Sequence, residues 1–310
     1  FKKNKPNSKL IDKISSFFDF IKLPSFLTNY LEVKSLIKQD IHLIKHEFPQ
    51  FHKIIDSISE TQFSIPSSLV KLDDGRSVSD ILFCHLRHIL NIKSVIKNPK
   101  KICEIGGGYG DLGRIYANHP DLIVESYSIV DLPGSLFYAE YFISKTCPES
   151  NIIYVNSEKD LINKDQKGKI NFYLFPLSSL HLTKLLSFDV IINTGSLGEM
   201  SEEWVDFYMN WIDEQNSNFF FSSNYFGNSL YNIYEGQNFA APRLGDKWKL
   251  IFSKINPPLL VSQSSQDRNF ADEIFKREKY LLEPIFDLKF ILEGKKIDHF
   301  LFHQCLRLIL

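Results

Sequence analysis

The sequence has few cysteines, and they are widely separated. Four occur in 310 residues, at Cys84, Cys103, Cys147 and Cys305, with no CxxC pair and no Cys/His cluster. A finger-type zinc site or a disulfide framework would need closer or paired cysteines, so neither is predicted. This usage is typical of a reducing compartment, and we expect a cytoplasmic protein.

An excess of charge of one sign is also missing. Lys and Arg number 36 against 37 Asp and Glu, which leaves a formal net charge of -1. A protein that binds nucleic acid needs a domain-wide positive field, so we expect no nucleic-acid partner. No apolar run approaches the roughly 18 residues that cross a bilayer, so we expect no membrane span.

Neither a starting methionine nor a signal-peptide pattern opens the chain. Because the first residue is Phe1, we expect the natural product to begin further upstream. Internal repeats and low-complexity tails are absent as well. With 310 residues, 44% apolar and 24% charged, the sequence predicts one large globular domain, or one domain with a smaller appendage.

Residues 1 to about 95 have the apolar spacing of helices. The turn Asp73-Asp74-Gly75 interrupts that spacing. Ser77 and Asp80 then stand three apart before an apolar run, which is the spacing of a capping box. They predict a helix from about 78 to 95, which also carries His85 and His88.

From Lys101 the pattern changes to alternating strands and helices, which predicts a parallel sheet with crossover helices. This is an α/β, Rossmann-like fold. Helices are predicted at 135–146 and 201–214, and loops beside a site at 228–247 and 262–270. The predicted strands are Ile102–Ile105, Ser126–Val130, Ile152–Val155, Phe188–Asn193 and Asn218–Ser222, with further strand-like pieces at 248–253, about 285–292 and 299–309.

A glycine-rich stretch lies at the first strand-to-helix turn. Residues 102–113 read ICEIGGGYGDLG. Glycines at such a turn let the backbone adopt positive φ and come close to a ligand. The helix that follows would point its first N–H groups at the same ligand. The stretch therefore predicts a cofactor site.

Two cofactors are compatible with this stretch. Gly108, Gly110 and Gly113 satisfy the GxGxxG pattern of dinucleotide-binding folds. However, Glu104 ends the strand, and with Gly106, Gly108 and Gly110 it matches the E/DxGxGxG pattern of class I S-adenosylmethionine-dependent methyltransferases. In that family the strand-end acid helps to place the amino-acid end of the cofactor, whose ammonium it can approach. A dinucleotide has no ammonium, so Glu104 favours the second interpretation. An NAD(P)-dependent oxidoreductase is the alternative.

Further polar residues follow the later strands. Asp131 ends the second strand, where its carboxylate can accept both hydroxyls of a ribose, and Leu132 can lie against an adenine ring. In a doubly wound sheet the ligand lies outside the carboxyl ends of the strands. Asn193 and Ser196, after the fourth strand, are therefore predicted to face the cofactor. The fifth strand ends in the polar run 222–225.

Four stretches together resemble a known family. EIGGGYGDLGR, VDLPG, NTGSLGEM and FFFSSNYFG occur in this order over roughly residues 77–227. They are similar to the sugar O-methyltransferases of bacterial surface-polysaccharide gene clusters. The resemblance implies a class I methyltransferase fold and S-adenosylmethionine as the cofactor. It also implies a sugar hydroxyl as the acceptor, in a saccharide or glycosylated precursor.

On this basis we predict a helical region or lid at 1–95 and a methyltransferase domain at 96–310, with loop insertions at about 228–283. A non-catalytic protein that keeps the fold is the second alternative. The predicted cofactor-binding residues are Glu104, Gly106, Gly107, Gly108, Gly110, Asp131, Leu132, Asn193 and Ser196.

A sugar hydroxyl is a poor nucleophile at neutral pH, so a base or a metal should assist. We predict Glu199 as the base, because it lies just past a strand end that should face the methyl group. His181 and Tyr225 are further catalytic candidates. His85 and His88 could also reach the site, although histidines on such a helix face are more often core residues.

No metal site is predicted. Asp73 and Asp74 are adjacent acids before a glycine, which is typical of an exposed turn. No other pairing of carboxylates stands out in the sequence.

Overall fold

A computed structural model describes residues 25–64, 66, 69–162, 170–225, 244–245, 247–256 and 270–277. Its N-terminal part is helical, as predicted. The helices are α1 (Ser25–Glu47), α2 (His52–Ser57) and α3 (Asp80–Val95). A short antiparallel pair, β1 (Val70–Lys71) and β2 (Ser77–Val78), precedes α3.

Helix α3 begins two residues later than the sequence pattern indicates. Its N-cap is Ser79, whose hydroxyl accepts a hydrogen bond from the Leu82 N–H at 3.1 Å. The predicted capping box of Ser77 and Asp80 is wrong, because Ser77 pairs with Lys71 in the small hairpin. The helix itself is confirmed.

The described strands of the central sheet lie in the order β5-β6-β4-β3-β7-β8-β10-β9. From β5 to β8 in this order, every neighbouring pair is parallel. β10 runs antiparallel to both β8 and β9. The strands are β3 (Lys101–Ile105), β4 (Ser126–Asp131), β5 (Asn151–Tyr154), β6 (Asn171–Pro176), β7 (Phe188–Thr194), β8 (Ser217–Tyr225), β9 (Trp248–Asn256) and β10 (Phe270–Arg277).

Helices connect the parallel strands. They are α4 (Asp111–Asn118), α5 (Pro133–Thr146) and α6 (Glu202–Glu214), and short 3₁₀ segments cover Leu177–Leu185 and Ser196–Glu199. The predicted Rossmann-like α/β fold with a helical N-terminal region is thus confirmed. In the dinucleotide-binding order, the last strand in sequence lies at the edge, beside the strand that precedes it in the chain. Here β10 lies between β8 and β9 and runs antiparallel to both.

Two strands of the central sheet were not predicted. β6 reads NFYLFP and is buried at all six positions, between β4 and β5. An unbroken apolar run of this kind suits a strand covered on both faces, but it lacks the alternation that marks a strand in sequence. β10 follows the predicted loop at 262–270. The strand-like pieces predicted near 285–292 and 299–309 lie outside the described residues, as do nearly all of the loop residues.

The sheet is covered by apolar side chains on both faces. Ile102 belongs to one buried cluster, whereas Cys103 and Ile105 belong to the other, as expected for alternate residues of one strand. Ile37 and Ile44 of α1 lie in the same cluster as Ile102. The N-terminal helices therefore share a core with the sheet, and their role as a lid stays a prediction.

The turn at Asp73 and Asp74 is exposed, and both acids pair with cations. The Asp73 carboxylate lies 2.8 Å from Lys34 and 2.5 Å from Lys38, and Asp74 lies 2.9 Å from Arg76. In the part of the chain that the structure describes, no group of three His, Cys, Asp or Glu side chains is placed to hold a metal. None of the described helices has the length and apolarity needed to cross a bilayer.

Candidate cofactor-binding site

β3 ends in a turn whose backbone suits glycine. Gly106, Gly108 and Gly110 have φ of +70°, +55° and +86°, in the left-handed region. A side chain there costs about 1–2 kcal/mol. The Gly106 N–H donates to the Val130 carbonyl at 2.8 Å, which joins the turn to the end of β4. Within this turn, the three glycines of the E/DxGxGxG pattern are thus the ones with positive φ.

The turn is closely packed on one side and open on the other. A Cβ added at Gly106 would lie 2.1 Å from the Ser196 hydroxyl oxygen, and one at Gly107 would lie 2.9 Å from Glu104 Oε2. A Cβ added at Gly108 would meet no described atom within 4 Å. Space for a ligand is therefore found at Gly108.

Gly113 has a different role, inside α4. A Cβ there would lie 2.9 Å from the Phe172 ring and 3.0 Å from the Tyr127 ring. The absent side chain lets the helix pack closely on β4 and β6. Close helix–strand packing is the role of the third glycine of GxGxxG. The third glycine of GxGxxG, on which the dinucleotide alternative depends, is thus explained by packing and does not identify the ligand.

Glu104 lies beneath the turn and is only 2% exposed. Its Oε2 accepts a hydrogen bond from the Tyr127 hydroxyl at 2.7 Å, and Thr194 donates to Oε1 at 3.4 Å. Burial raises the pKa of Glu104, while the Tyr127 bond and the charge of His85 oppose that rise. A cation bound nearby would favour the ionised form of this carboxyl group.

The predicted ribose acid adjoins the open part of the turn. The Gly108 N–H donates to Asp131 Oδ2 at 2.8 Å, and the Leu132 N–H donates to Oδ1 at 2.7 Å. Each carboxylate oxygen keeps a further lone pair for a ligand hydroxyl. The Leu132 side chain is 60% exposed beside it. The structure therefore brings Gly108, Asp131 and Leu132 together, as the sequence patterns require.

Asn193 ties three strand ends together. Its amide nitrogen donates to the Ile105 carbonyl at 3.0 Å and to the Ser196 hydroxyl at 2.5 Å, and its oxygen accepts from Asn224 at 2.9 Å. The side chain is fully buried. Ser196, in turn, donates to the Ile105 carbonyl at 3.1 Å. Both residues position the turn above Gly106, and their direct contact with a cofactor stays a prediction.

The three catalytic candidates lie on different segments. Glu199 is exposed and ends the 3₁₀ segment whose first residue, Ser196, packs on Gly106. His181 is exposed in the segment after β6. Tyr225 ends β8, where its backbone pairs with Phe270, and its side chain is not described. Glu199 is thus on the turn next to the glycines, and all three roles stay predictions.

A buried charge network adjoins the turn, and the sequence patterns did not predict it. His85 Nδ1 lies 2.9 Å from Asp111 Oδ2, and Arg114 Nε donates to Asp111 Oδ1 at 2.6 Å. Arg114 also lies 3.7 Å from Glu60, which accepts a hydrogen bond from Ser79 at 2.5 Å. Only the Asp111–Arg114 pair has a local signal, an acid and an arginine three residues apart on one helix face.

These contacts shift the protonation of the network. Burial disfavours the charged form of Asp111, but His85 and Arg114 outweigh it and lower its pKa to about 2. For His85, burial lowers the pKa, while Asp111 and Glu104 raise it by more, so the pKa lies above its usual value. The His85 side chain is 20% exposed, so part of it is accessible to solvent.

We expect the contribution of His85 to stability to depend on pH. Because the folded-state pKa is raised, the stabilisation is fully present below the unfolded-state pKa of about 6.5 and is lost as pH rises through the folded-state pKa. In urea titrations, the free-energy difference between the wild type and His85→Asn should therefore shrink from about pH 6 to pH 9. A difference that stays constant over this range would contradict the ion pair.

No model of a known protein family matches this chain, and no curated protein sequence matches it. Solved structures match at low identity. The methyltransferase domain of bacterial CtHen1 shares 16% identity at a TM-score of 0.43, over 64% of this chain and 100% of that one. The 16S rRNA methylase ArmA shares 14% at 0.40, over 64% and 84%. An rRNA methylase from Escherichia coli shares 13% at 0.38, over 64% and 65%.

These three chains are named as methyltransferases or methylases. At these identities and TM-scores the likeness carries no conclusion about the cofactor or the acceptor of this chain. Its function is therefore argued from its own residues.

Proposed function

We propose that the protein is an S-adenosylmethionine-dependent methyltransferase. One observation carries the proposal, namely an open glycine turn at Gly108 that has a strand-end acid on each side. Asp131 is bonded to the turn and suits the ribose, while Glu104 lies beneath it and suits an ammonium. S-adenosylmethionine has both groups, whereas a dinucleotide has a ribose and no ammonium. The residues present therefore fit this cofactor better than NAD.

When bound, S-adenosylmethionine supplies a methyl group that its sulfonium activates for an in-line displacement. The chain has to hold the acceptor oxygen in line and take up its proton. The 3₁₀ turn of Ser196–Glu199 is suited to both tasks. Ser196 anchors it to Gly106 and to the Ile105 carbonyl, and exposed Glu199 can accept a proton. His181 and Tyr225 are the other candidates for that base.

We further propose that the acceptor is a sugar hydroxyl, on a saccharide or glycosylated precursor of a bacterial surface polysaccharide. The support is the resemblance over residues 77–227 to sugar O-methyltransferases. The balanced charge also argues for a saccharide, since a polyanionic nucleic acid is held mainly through its phosphates. We place the protein in a reducing cytoplasm, because few and widely separated cysteines are typical of that compartment.

Calorimetric titration tests the cofactor. We expect S-adenosylhomocysteine to bind in preference to NAD. Asp131→Ala should weaken that binding at least about tenfold, because a charge-assisted hydrogen bond is worth about 1.5–3 kcal/mol. Asp121→Ala, which removes an exposed acid elsewhere, should leave the affinity unchanged. Preference for NAD would favour the oxidoreductase, and an Asp131 variant with wild-type affinity would contradict the site.

A labelling experiment tests the acceptor. Protein supplied with methyl-labelled S-adenosylmethionine should label nucleotide sugars or surface glycan and leave total RNA unlabelled. Label in the RNA would overturn the saccharide acceptor and keep the cofactor. Binding of S-adenosylhomocysteine without transfer to any acceptor would favour a non-catalytic protein.

A further inference from the structure

The amino-acid end of S-adenosylmethionine carries an ammonium and a carboxylate. Glu104 suits the first of these charges, whereas none of the predicted cofactor-binding residues is a cation that could meet the second. The inference below rests on the proposed function and concerns the group that recognises the carboxylate.

His85 reaches the turn from α3. Its Nδ1 is held by Asp111, the residue that directly follows Gly110, and its charge acts on Glu104 beneath the turn. No described residue bonds to Nε2, and the side chain is 20% exposed. The imidazole therefore has a nitrogen without a described partner, and its other nitrogen contacts the residue that follows the glycine turn.

The bond to Asp111 decides what that nitrogen does. An ionised carboxylate only accepts, so Nδ1 carries a proton and donates it to Asp111. Nε2 then carries a proton, and can donate to a ligand, only in the cationic imidazolium. An Asp–His pair of this kind holds the ring in one orientation and stabilises its positive charge.

The other cation of the network is Arg114, and two of its three guanidinium nitrogens donate hydrogen bonds within the protein. Arg114 is 5% exposed and contacts Asp111, Glu60 and the Ser59 carbonyl. Its charge is balanced by two carboxylates, so it has little capacity to attract a third. This leaves His85 as the cation of the network with a free and partly exposed donor.

We propose that His85 binds the carboxylate of the methionyl group through Nε2, with Asp111 as the positioning residue that holds the imidazole. The charges of the site then complement those of the amino-acid end of the cofactor, because Glu104 faces the ammonium in this arrangement and His85 the carboxylate. The groups that act on His85 are Asp111 and Arg114 from α4 and Glu104 from β3. The two acids outweigh burial and Arg114, so the pKa of His85 is raised and the imidazolium persists towards neutral pH.

The test compares S-adenosylhomocysteine with its decarboxylated analogue, which keeps the amino group, by calorimetric titration. In His85→Asn, the amide nitrogen can replace Nδ1 in the bond to Asp111, while nothing replaces Nε2. We expect this variant to bind S-adenosylhomocysteine roughly 10- to 100-fold more weakly than the wild type and to bind the analogue as well as the wild type does. His42→Asn, at an exposed position of α1, is the matched control and should change neither affinity.

A second measurement uses only the wild type. Its affinity for S-adenosylhomocysteine should fall as pH rises through the folded-state pKa of His85, and its affinity for the analogue should not. Equal losses for both ligands in His85→Asn, no loss for either, or an affinity for S-adenosylhomocysteine that rises with pH would overturn the assignment. If the wild type binds neither adenosyl ligand, the proposed function itself fails, which is a distinct result.

Discussion

Gly108→Ala should strongly weaken the binding of S-adenosylhomocysteine while the protein stays folded. The new methyl group meets no described atom within 4 Å, so the fold bears only the strain of positive φ, about 1–2 kcal/mol. That methyl group would, however, occupy the space through which the backbone approaches its ligand. We expect the affinity for S-adenosylhomocysteine to fall by about 100-fold or more, equivalent to about 2.7 kcal/mol, as measured by calorimetric titration.

Two other glycines supply the controls. Gly75 has φ of +90° and equally free surroundings, so Gly75→Ala measures the strain alone and should leave ligand affinity unchanged. Gly106→Ala should destabilise the fold by about 2–5 kcal/mol, because its Cβ would collide with Ser196 in addition to the strain. Wild-type affinity in Gly108→Ala would show that the open side of the turn is not the ligand site.

Glu199→Gln should lower turnover by about 10²–10⁴-fold, since this is the usual contribution of a general base. Its neutral amide cannot accept the proton of the acceptor hydroxyl. The affinity for S-adenosylhomocysteine should stay within about threefold, because the proposed contacts to the cofactor come from other residues. Initial rates with a labelled methyl donor, together with calorimetry, measure the two quantities separately.

Glu203→Gln is the matched control for this experiment. Glu203 is also an exposed glutamate, in the first turn of α6, only four residues from Glu199. We expect its removal to leave turnover unchanged. If Glu199→Gln keeps the wild-type rate, Glu199 has no part in the chemistry, and the same comparison passes to His181→Gln and Tyr225→Phe.

The strand-to-helix turn shows how much the sequence alone can predict. The positions of Gly106, Gly108 and Gly110 follow from the motif, and each has the positive φ that makes glycine necessary there. The acid at the end of β4 was also singled out, and its carboxylate accepts a hydrogen bond from the Gly108 N–H. Such features are local, because they depend on residue type and on spacing within one strand and one turn.

Contacts between distant segments could not be predicted in this way. Glu60 and Arg114 are 54 positions apart in the chain, and His85 and Asp111 are 26 apart, yet they form one buried network. The network arises because the core that α1 and α3 share with the sheet holds α3 against the glycine turn. No periodicity in the sequence records which residues two packed elements bring together.

β6 and β10 illustrate the same limit for the fold. β6 is recognisable as a strand only because it pairs with β4 and β5, which bury both of its faces. Strand propensity is decided largely by such neighbours, and the sequence around β6 lacks alternation. β10 inserts between β8 and β9 against the order of the chain, and pairing at that range leaves no mark in the spacing of residues.

Residue type and local spacing thus established a Rossmann-like sheet, a glycine turn at its first strand and an acid at its second, because each follows from steric and hydrogen-bonding rules that act over a few residues. Packing alone decided which side of the turn is open, that Asn193 ties three strand ends together, and that the His85 imidazole lies against Asp111. Those outcomes depend on distances between elements far apart in the chain, and such distances exist only once the apolar faces of the helices and the sheet have been buried against each other.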